Sequence, residues 1–458
     1  YRTFLIPYMF KHFLIFIKFR NKLILKLLWN AMSLKNKDFM TGNTKPKIVV
    51  IGGGFAGLQF IQNIKHDVFD ILLIDKLNHY QFQPLFYQVA TSQIEPSSIS
   101  FPFRKIFQKR KDVRIRLTKV EKIDQISKTV ITDIGAFPYD FLIIATGCKT
   151  NYFGNKNIKK YTFSLKTTYQ AITIRNSILE NFEKLQYVEG LEKEALLNIV
   201  VVGGGPTGVE LAGAFAEIKR DILPKDFFRI DFTKMQIILL EGSPNTLNNM
   251  SEMSRNASAK YLRDLGVIIK TQLFVTDYDG TNLQMNNGEI IRSKQVIWAA
   301  GVTGNLIEGM NPNIITPSNR YKVDRFNKIE DTENIFAIGD ISYMETPKYP
   351  KGHPQVANVA INQGKLLAKN LLATIEGKEQ KQYEYTDLGS MATIGRNKAV
   401  VELPFVKFKG YFAWLIWMFL HLMLILSVRN KIIIFINWAW NYISKNSSLR
   451  LILKEDKR

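Results

Sequence analysis

Two stretches of this chain combine a glycine-rich turn with a carboxylate about 20 residues further on. In the first, the apolar run 47–51 leads into Gly52-Gly53-Gly54-Phe55-Ala56-Gly57, then a helix-like stretch, then the run 71–74, which ends on Asp75. In the second, the run 198–202 leads into Gly203-Gly204-Gly205-Pro206-Thr207-Gly208, a helix through Lys219, and the run 236–240, which ends on Glu241. Gly52 and Gly203 allow the tight turn, and Gly54 and Gly205 let the backbone approach a pyrophosphate seated on the helix N-terminus. Gly57 and Gly208 let helix and strand pack closely. Asp75 and Glu241 then stand where a carboxylate accepts hydrogen bonds from an adenosine ribose. A single motif of this kind is weak. Each copy here has the strand, helix and acid that it requires, and reading the glycines as turns only would have to hold twice.

The element that returns to the first motif identifies its ligand. Ile335-Phe336-Ala337-Ile338-Gly339-Asp340 is an apolar strand closing on Gly-Asp. In flavoproteins with two such domains a strand of this kind brings an aspartate to the ribityl chain of FAD. Gly339 permits the close approach and Asp340 accepts from a sugar hydroxyl. Ala145-Thr146-Gly147 and Ala299-Ala300-Gly301 end strands where the chain crosses between domains. The N-terminal copy with Asp340 is therefore expected to hold FAD, and the central copy the nicotinamide nucleotide. Glu241 would repel a 2′-phosphate, and Gly242-Ser243-Pro244 offers no arginine to bind one, which favours NADH over NADPH.

Length and composition limit the alternatives. A chain of 458 residues suits two or three domains, and 46% hydrophobic residues is ordinary for a globular protein. The net charge of +22 is not ordinary. Nucleic acid, an anionic membrane surface or anionic substrates could each account for it. No basic, aromatic-interleaved motif is present, so a nucleic-acid partner is not expected. The single cysteine, Cys148, rules out an internal disulfide and a Cys-x-x-Cys redox pair, and is read as a small packed residue. Five scattered histidines give no zinc-ligand spacing, and no metal is expected. Redox chemistry must then come from a bound organic cofactor.

Both ends of the chain differ from its middle. Residues 1–46 mix short apolar runs with eight basic residues before the first acid, Asp38. They read either as a basic membrane or targeting segment, or as sequence upstream of a true start near Met32 or Met40. The second reading is preferred, because no apolar stretch ends in a small-residue cleavage site. Near the other end, residues 410–428 carry no charge, and a second uncharged run, 432–444, follows Arg429 and Lys431. The first run is at the lower edge of the about 17–25 residues that span a bilayer. Trp414, Trp417, Trp438, Trp440 and Tyr442, with cations at the run boundaries, instead suit helices lying in the interface, and His421 inside the first run fits that better than a span.

Taken together the residues resemble the type II NADH dehydrogenases, the single-subunit, non-proton-pumping NADH:quinone oxidoreductases. The likeness runs from about Lys47 to Tyr442. It includes Asn78-His79-Tyr80, Tyr87-Gln88-Val89-Ala90, Gly203 to Glu210 with Leu211-Ala212-Gly213, Trp298-Ala299-Ala300-Gly301-Val302 and Met391-Ala392-Thr393-Ile394-Gly395-Arg396. It implies an α/β fold of two nested Rossmann-like domains, for FAD and NADH, plus a C-terminal helical membrane-anchoring segment, usually in a homodimer. The divisions expected are 1–46 as the extension, 47–160 and 307–385 as the two parts of the FAD domain, 161–306 as the NADH domain and 386–458 as the anchor. The resemblance adds Phe55, Ala56, Gln88, Gln355, Val356 and Ala357 to the flavin side, and Pro206, Thr207, Ala300 and Gly301 to the NADH side. It places Glu210 near the nicotinamide and flavin.

The family's quinone-side motif falls on residues 354–363, where Asn358 and Asn362 stand in positions usually held by glutamine and Gln363 remains. The implied reaction passes hydride from NADH to FAD, then two electrons to ubiquinone or menaquinone, on the cytoplasmic face of an inner membrane or, as the lesser option, a mitochondrial one. Two rivals stand beside it. One is a soluble-type NADH-dependent reductase of a redox protein or oxygen. The other is a flavoprotein sensor or scaffold.

Overall fold

In the computed structural model, which describes residues 45–446 and 449–453, Lys-Ile-Val-Val-Ile forms strand β1 (Lys47–Ile51), with its last four side chains buried. A strand apolar on both faces belongs inside a parallel sheet with both faces covered. The glycine turn opens helix α1 (Phe55–Asn63), which returns the chain to β2 (Asp70–Asp75). Strand β3 (Val113–Leu117) pairs with β2, and β4 (Phe141–Ile144) pairs with the opposite edge of β1, all in parallel. The chain thus leaves β1 in two directions, and ligands of such sheets bind in the crevice at the carboxyl ends of the strands there.

The arrangement then repeats. Strand β5 (Phe163–Ser164), helix α2 (Thr168–Lys184), β6 (Ile199–Val202), α3 (Pro206–Asp221), β7 (Ile237–Glu241), β8 (Val267–Thr271) and β9 (Gln295–Trp298) make the second unit. Its five strands lie in the order β5-β9-β6-β7-β8, all parallel. Each sheet is accompanied by a three-stranded antiparallel meander, within residues 120–138 in one case and 275–292 in the other. The duplication legible in two glycine motifs therefore extends to whole domains.

Strand β10 (Ile335–Ala337) pairs with β4 and completes the first sheet in the order β10-β4-β1-β2-β3. The second domain is inserted between β4 and β10, and the two crossings are strapped together where Cys148–Thr150 pairs antiparallel with Val302–Gly304. Helix α4 (Ala357–Ile375) then packs against α1. The approach is close because the contact is made of small residues: a side chain on Gly364 would run into the Ala56 carbonyl.

A three-stranded antiparallel sheet (Ser390–Thr393, Ala399–Leu403, Val406–Lys409) precedes helices α5 (Tyr411–Leu424) and α6 (Val428–Ser444). The uncharged run 410–428 is broken at Ile425, where the backbone turns extended. No described helix is long and apolar enough to cross a membrane. The tryptophans divide differently from the sequence expectation. Trp440 is 64% exposed, whereas Trp417 and Trp438 are buried against the body of the protein. His421 also turns inward, its ring stacked on Trp417 at 4.1 Å. Both readings of the extension 1–46 concern residues that, but for 45 and 46, lie outside those described.

The tightest point is the first turn. An added side chain at Gly57 would collide with the Gly52 carbonyl oxygen, and Gly52 itself holds φ +100°. Gly57→Ala is expected to lower stability by about 1–3 kcal/mol through overpacking and to weaken retention of the flavin, measured by urea unfolding and by flavin absorbance after gel filtration.

Candidate functional site

The two acids predicted to bind ribose first act on their own loops. Asp75 accepts from the Gly53 N–H at 2.7 Å and the Leu77 N–H at 2.8 Å. Glu241 accepts from the Gly204 N–H at 2.5 Å and the Ser243 N–H at 2.6 Å. In each domain a carboxylate at the end of the second strand holds the glycine turn at the end of the first. A carboxylate offers about four acceptor positions, so each keeps capacity for sugar hydroxyls. Burial raises the Asp75 pKa, and its two backbone bonds work against that rise.

A cleft of about 1080 Å³ opens above the first sheet. Gly52, Gly54, Phe55, Ala56, Asp75, Ala145, Thr146, Gly147, Gly339, Asp340, Gln355 and Ala357 line it, as do Thr207 and Glu210 from the second domain. The residues fit a flavin dinucleotide. Gly54 faces open space, so a phosphate can come against its backbone. Lys76, Lys119, Lys149, Lys156, Lys159 and Lys166 around the cleft supply cations for a polyanionic ligand. Gly203, Gly205, Pro206, Gly208, Glu241, Ala300 and Gly301 gather at the carboxyl edge of the second sheet, where β6, β7 and β9 end in register. Among the described residues, no group of three His, Cys, Asp or Glu side chains is placed to hold a metal.

Asp340 has partners that sequence reasoning missed. The Cys148 thiol donates to its Oδ2 at 3.0 Å, and Lys166 Nζ donates to the Cys148 sulfur at 3.4 Å. Burial and the Asp340 carboxylate push the thiol pKa up to about 12, which makes Cys148 an unreactive donor. The Asp340 backbone is held as well, its carbonyl accepting from Gln355 Nε2 at 2.9 Å.

Several expected residues take other positions. Gln363 is fully buried, and its Oε1 accepts from the Gly339 N–H at 2.7 Å and the Ser342 hydroxyl at 3.1 Å. It braces the Gly339-Asp340 turn and does not line the cleft. Asn362 donates to Asn358 at 2.8 Å and Asn358 to the Thr386 carbonyl at 3.3 Å, so the shorter amides bond along the outside of α4. Val356 is 39% exposed and outside the cleft wall. Gln88 is turned away from the flavin side, toward a second cavity. It donates to the Tyr87 hydroxyl at 3.0 Å and accepts from the Trp438 indole N–H at 2.8 Å.

Glu210 stands in the wall between the cleft and this second cavity, lining both. It is buried; its hydrogen bond from the Thr393 N–H is long, at 3.5 Å, and the Trp417 indole N–H also faces it. Burial pushes its pKa up to about 8. Near neutral pH this carboxyl both holds and releases a proton, the property required of a general acid or base.

A model of the pyridine nucleotide-disulphide oxidoreductase family matches residues 46–364, and one of the NDH2 C-terminal domain matches residues 388–445. The type II NADH:quinone oxidoreductase Ndh of Mycobacterium tuberculosis is 34% identical over 418 residues, covering 87% of this chain and 88% of that protein. The chain belongs to the type II NADH:quinone oxidoreductase family. NdhA of the same organism, also named a type II NADH:quinone oxidoreductase, is 32% identical over 90% of this chain and 91% of its own length. Among solved structures, NDH2 from Plasmodium falciparum in complex with NADH superposes with a TM-score of 0.82 over 90% of this chain and 100% of that one. At 22% identity that likeness shows the fold. With Cys148 as its single cysteine, the chain cannot form an internal disulphide.

Two measurements test these assignments. Because the Glu210 pKa is raised on folding, the folded protein holds a proton between about pH 4.5 and 8 that the unfolded chain has released. Stability therefore falls as pH rises through that window. Urea midpoints across it should show Glu210→Gln removing part of the wild-type decline. Gln363→Leu strands the buried Gly339 N–H, a loss of about 1–3 kcal/mol. It is expected to weaken flavin retention while leaving the quinone KM unchanged; a raised KM with full flavin would instead restore Gln363 to the quinone side.

Proposed function

We propose that this chain oxidises NADH, with FAD held in the first-domain cleft, and passes the electrons to a quinone at a membrane surface. The observation that carries the reading is the shared cleft. Groups that suit a flavin (Gly54, Asp75, Asp340) and groups at the start of the NADH-side helix (Thr207, Glu210) line one space. A nicotinamide held by the second domain would meet a flavin held by the first. FAD, when bound, supplies acceptance of a hydride and release of electrons to quinone.

The chain's own residues orient and enclose. Asp75 and Glu241 fix the two phosphate-binding turns. Gln355 and Gln363 fix the turn that presents Asp340. Phe55, Tyr80 and Phe82 meet edge-to-face at 5.6 and 6.1 Å and form an apolar wall. Glu210 exchanges protons beside the redox centre. Glu241 supports NADH over NADPH, since a carboxylate beside the turn it holds would accept from ribose hydroxyls and repel a 2′-phosphate.

Helices α5 and α6 supply the membrane contact. Phe412, Leu415, Phe419 and Met423 recur every three or four residues on α5, and Val428, Ile432, Ile436, Trp440 and Ile443 do so on α6, with Phe435 beside Ile436; all are exposed. A continuous apolar stripe at helical spacing, with Arg429 and Lys445 beside it, suits helices lying in a bilayer interface with cations toward lipid phosphates. The family relationship favours the cytoplasmic face of an inner membrane, in a homodimer.

Anaerobic stopped-flow of the FAD-loaded protein tests the redox half: NADH and not NADPH should bleach the flavin, and a short-chain quinone should restore it rapidly. Bleaching without reoxidation by quinone would sink the quinone assignment. For the membrane half, Phe419→Glu with Phe435→Glu should weaken partitioning onto anionic vesicles by at least about 100-fold, each buried Phe contributing about 1.5–3 kcal/mol, with the NADH step intact.

A further inference from the structure

Oxidation of NADH by a quinone consumes one proton from water in each turnover. One C–H bond of NADH breaks, two O–H bonds form on the quinone with the two electrons, and NADH brings only one of the two hydrogens. We propose that the missing proton enters through the second cavity, with Glu217 as the outer relay that passes it across bridging water to Glu210. The inference rests on the NADH:quinone reading above.

The cavity, of about 100 Å³, lies between α3 and helices α5 and α6, and has room for several water molecules. It shares two residues with the cofactor cleft, Tyr87 and Glu210. The cavity therefore reaches the wall of the redox site without opening into its glycine turns. Glu217 follows Glu210 by seven residues on α3, hence about 10 Å along the helix. That is too far for direct transfer and within reach of two or three waters in file.

Polar groups in the cavity call for such water. The Trp417 indole N–H lies in its wall, on a side chain only 2% exposed, and faces the Glu210 carboxyl without making a well-formed hydrogen bond to it. A buried donor of this kind is ordinarily satisfied by ordered water. Glu210, with a 3.5 Å bond from Thr393 and the Trp417 N–H facing it, keeps acceptor capacity on the same side. The aromatic walls from Trp414, Trp417, Trp438 and Tyr442 confine the passage.

Glu217 is partly exposed, and its Oε1 accepts from the Arg396 N–H at 2.6 Å. Arg396, Arg220 and Asp221 face it on the outer side, Tyr87 on the inner side, and Lys445 lines the same cavity. Burial raises its pKa against the pull of the two arginines, which moves it toward holding a proton at neutral pH.

Glu217→Gln removes the proton carrier and keeps an oxygen for the Arg396 N–H. The FAD-loaded, full-length protein is reduced by NADH and mixed with a short-chain quinone in weak buffer containing a pH-indicator dye. Flavin reduction should keep its rate, while proton uptake and flavin reoxidation slow together at least tenfold, with Glu217→Asp recovering part of the loss. Proton uptake at the wild-type rate in Glu217→Gln would overturn the inlet. A wild-type protein that quinone does not reoxidise would overturn the quinone reading instead, and the need for the inlet with it. A second readout needs no turnover. After a pH jump, the infrared carboxyl signal assigned to Glu210 by its absence in Glu210→Gln should relax at least tenfold more slowly in Glu217→Gln; equal relaxation overturns the relay.

Discussion

Strands β4, β1 and β10 end at one level, and the cofactor cleft depends on that alignment. Ile51 pairs with Ile144 and Ile74, and Ile144 with Ala337. The ladder continues one residue further. The Gly52 N–H donates to the Ile74 carbonyl at 2.9 Å, the Ala145 N–H to Ile51 at 2.8 Å and the Ile338 N–H to Ile144 at 3.0 Å. Three loops with separate tasks are thereby brought to the same height: the phosphate turn, the crossing to the second domain, and the turn that presents Asp340. A slip of one residue in any strand would exchange the side chains packed on the two covered faces of the sheet, so the fit of Ile, Val and Leu against the layers on either side fixes the site together with the sheet. The second sheet repeats the device, with the Gly203 N–H donating to Leu240 and the Ala299 N–H to Val202, both at 2.7 Å.

At the edge of each ladder a carboxylate completes the backbone pairing. Asp75 and Glu241 stand where a turn amide would otherwise lose its partner, and buried amides without partners cost about 1–3 kcal/mol each. Their loop-holding role and the ribose position expected of them follow from one geometry, because an acid that ends the second strand lies against the turn ending the first. A ligand then meets a turn already fixed before it arrives, and little ordering is left for binding to impose.

The parts legible in the sequence were those with a local signature. The glycine motifs, Asp75, Glu241, the Ala-Thr-Gly turn and the Gly339-Asp340 strand end each announce themselves within a few residues, and the structure sets all of them around the two switch points. What stayed hidden was every role set by a distant partner. Gln363 looks like a ligand-side amide and serves as a brace because Gly339, 24 residues earlier, presents an N–H to it. Gln88 belongs to the second cavity because Trp438, 350 residues away, donates to it. Cys148 touches Asp340 only because β4 and β10 are neighbours. Tryptophans spaced along an apolar helix do not reveal which will face outward, since Trp438 and Trp440, both on α6, differ only in the side of the helix they occupy.

That last distinction gives the C-terminal helices two jobs on opposite faces. Outward they carry the exposed stripe; inward they are tied to the body by polar bonds as well as packing. Asn430 donates to the Ser98 carbonyl at 2.9 Å and Asn441 to Gln93 at 2.9 Å, while Trp438 bonds Gln88. Buried polar bonds of this sort specify one placement where an apolar contact alone would tolerate sliding. The stretch 86–98 that receives these bonds carries Tyr87, whose ring meets Trp417 at 6.4 Å and which lines the cofactor cleft. His421, pushed down to about 4 by burial, stays neutral between Trp417 and Phe82 and puts no charge into this apolar seam. The surface that would rest on lipid and the wall that would meet a quinone headgroup are thus two sides of the same pair of helices. Their spacing is held by the thickness of a helix, so docking on a membrane through that stripe would also set how far a lipid-borne substrate must travel to reach the flavin side.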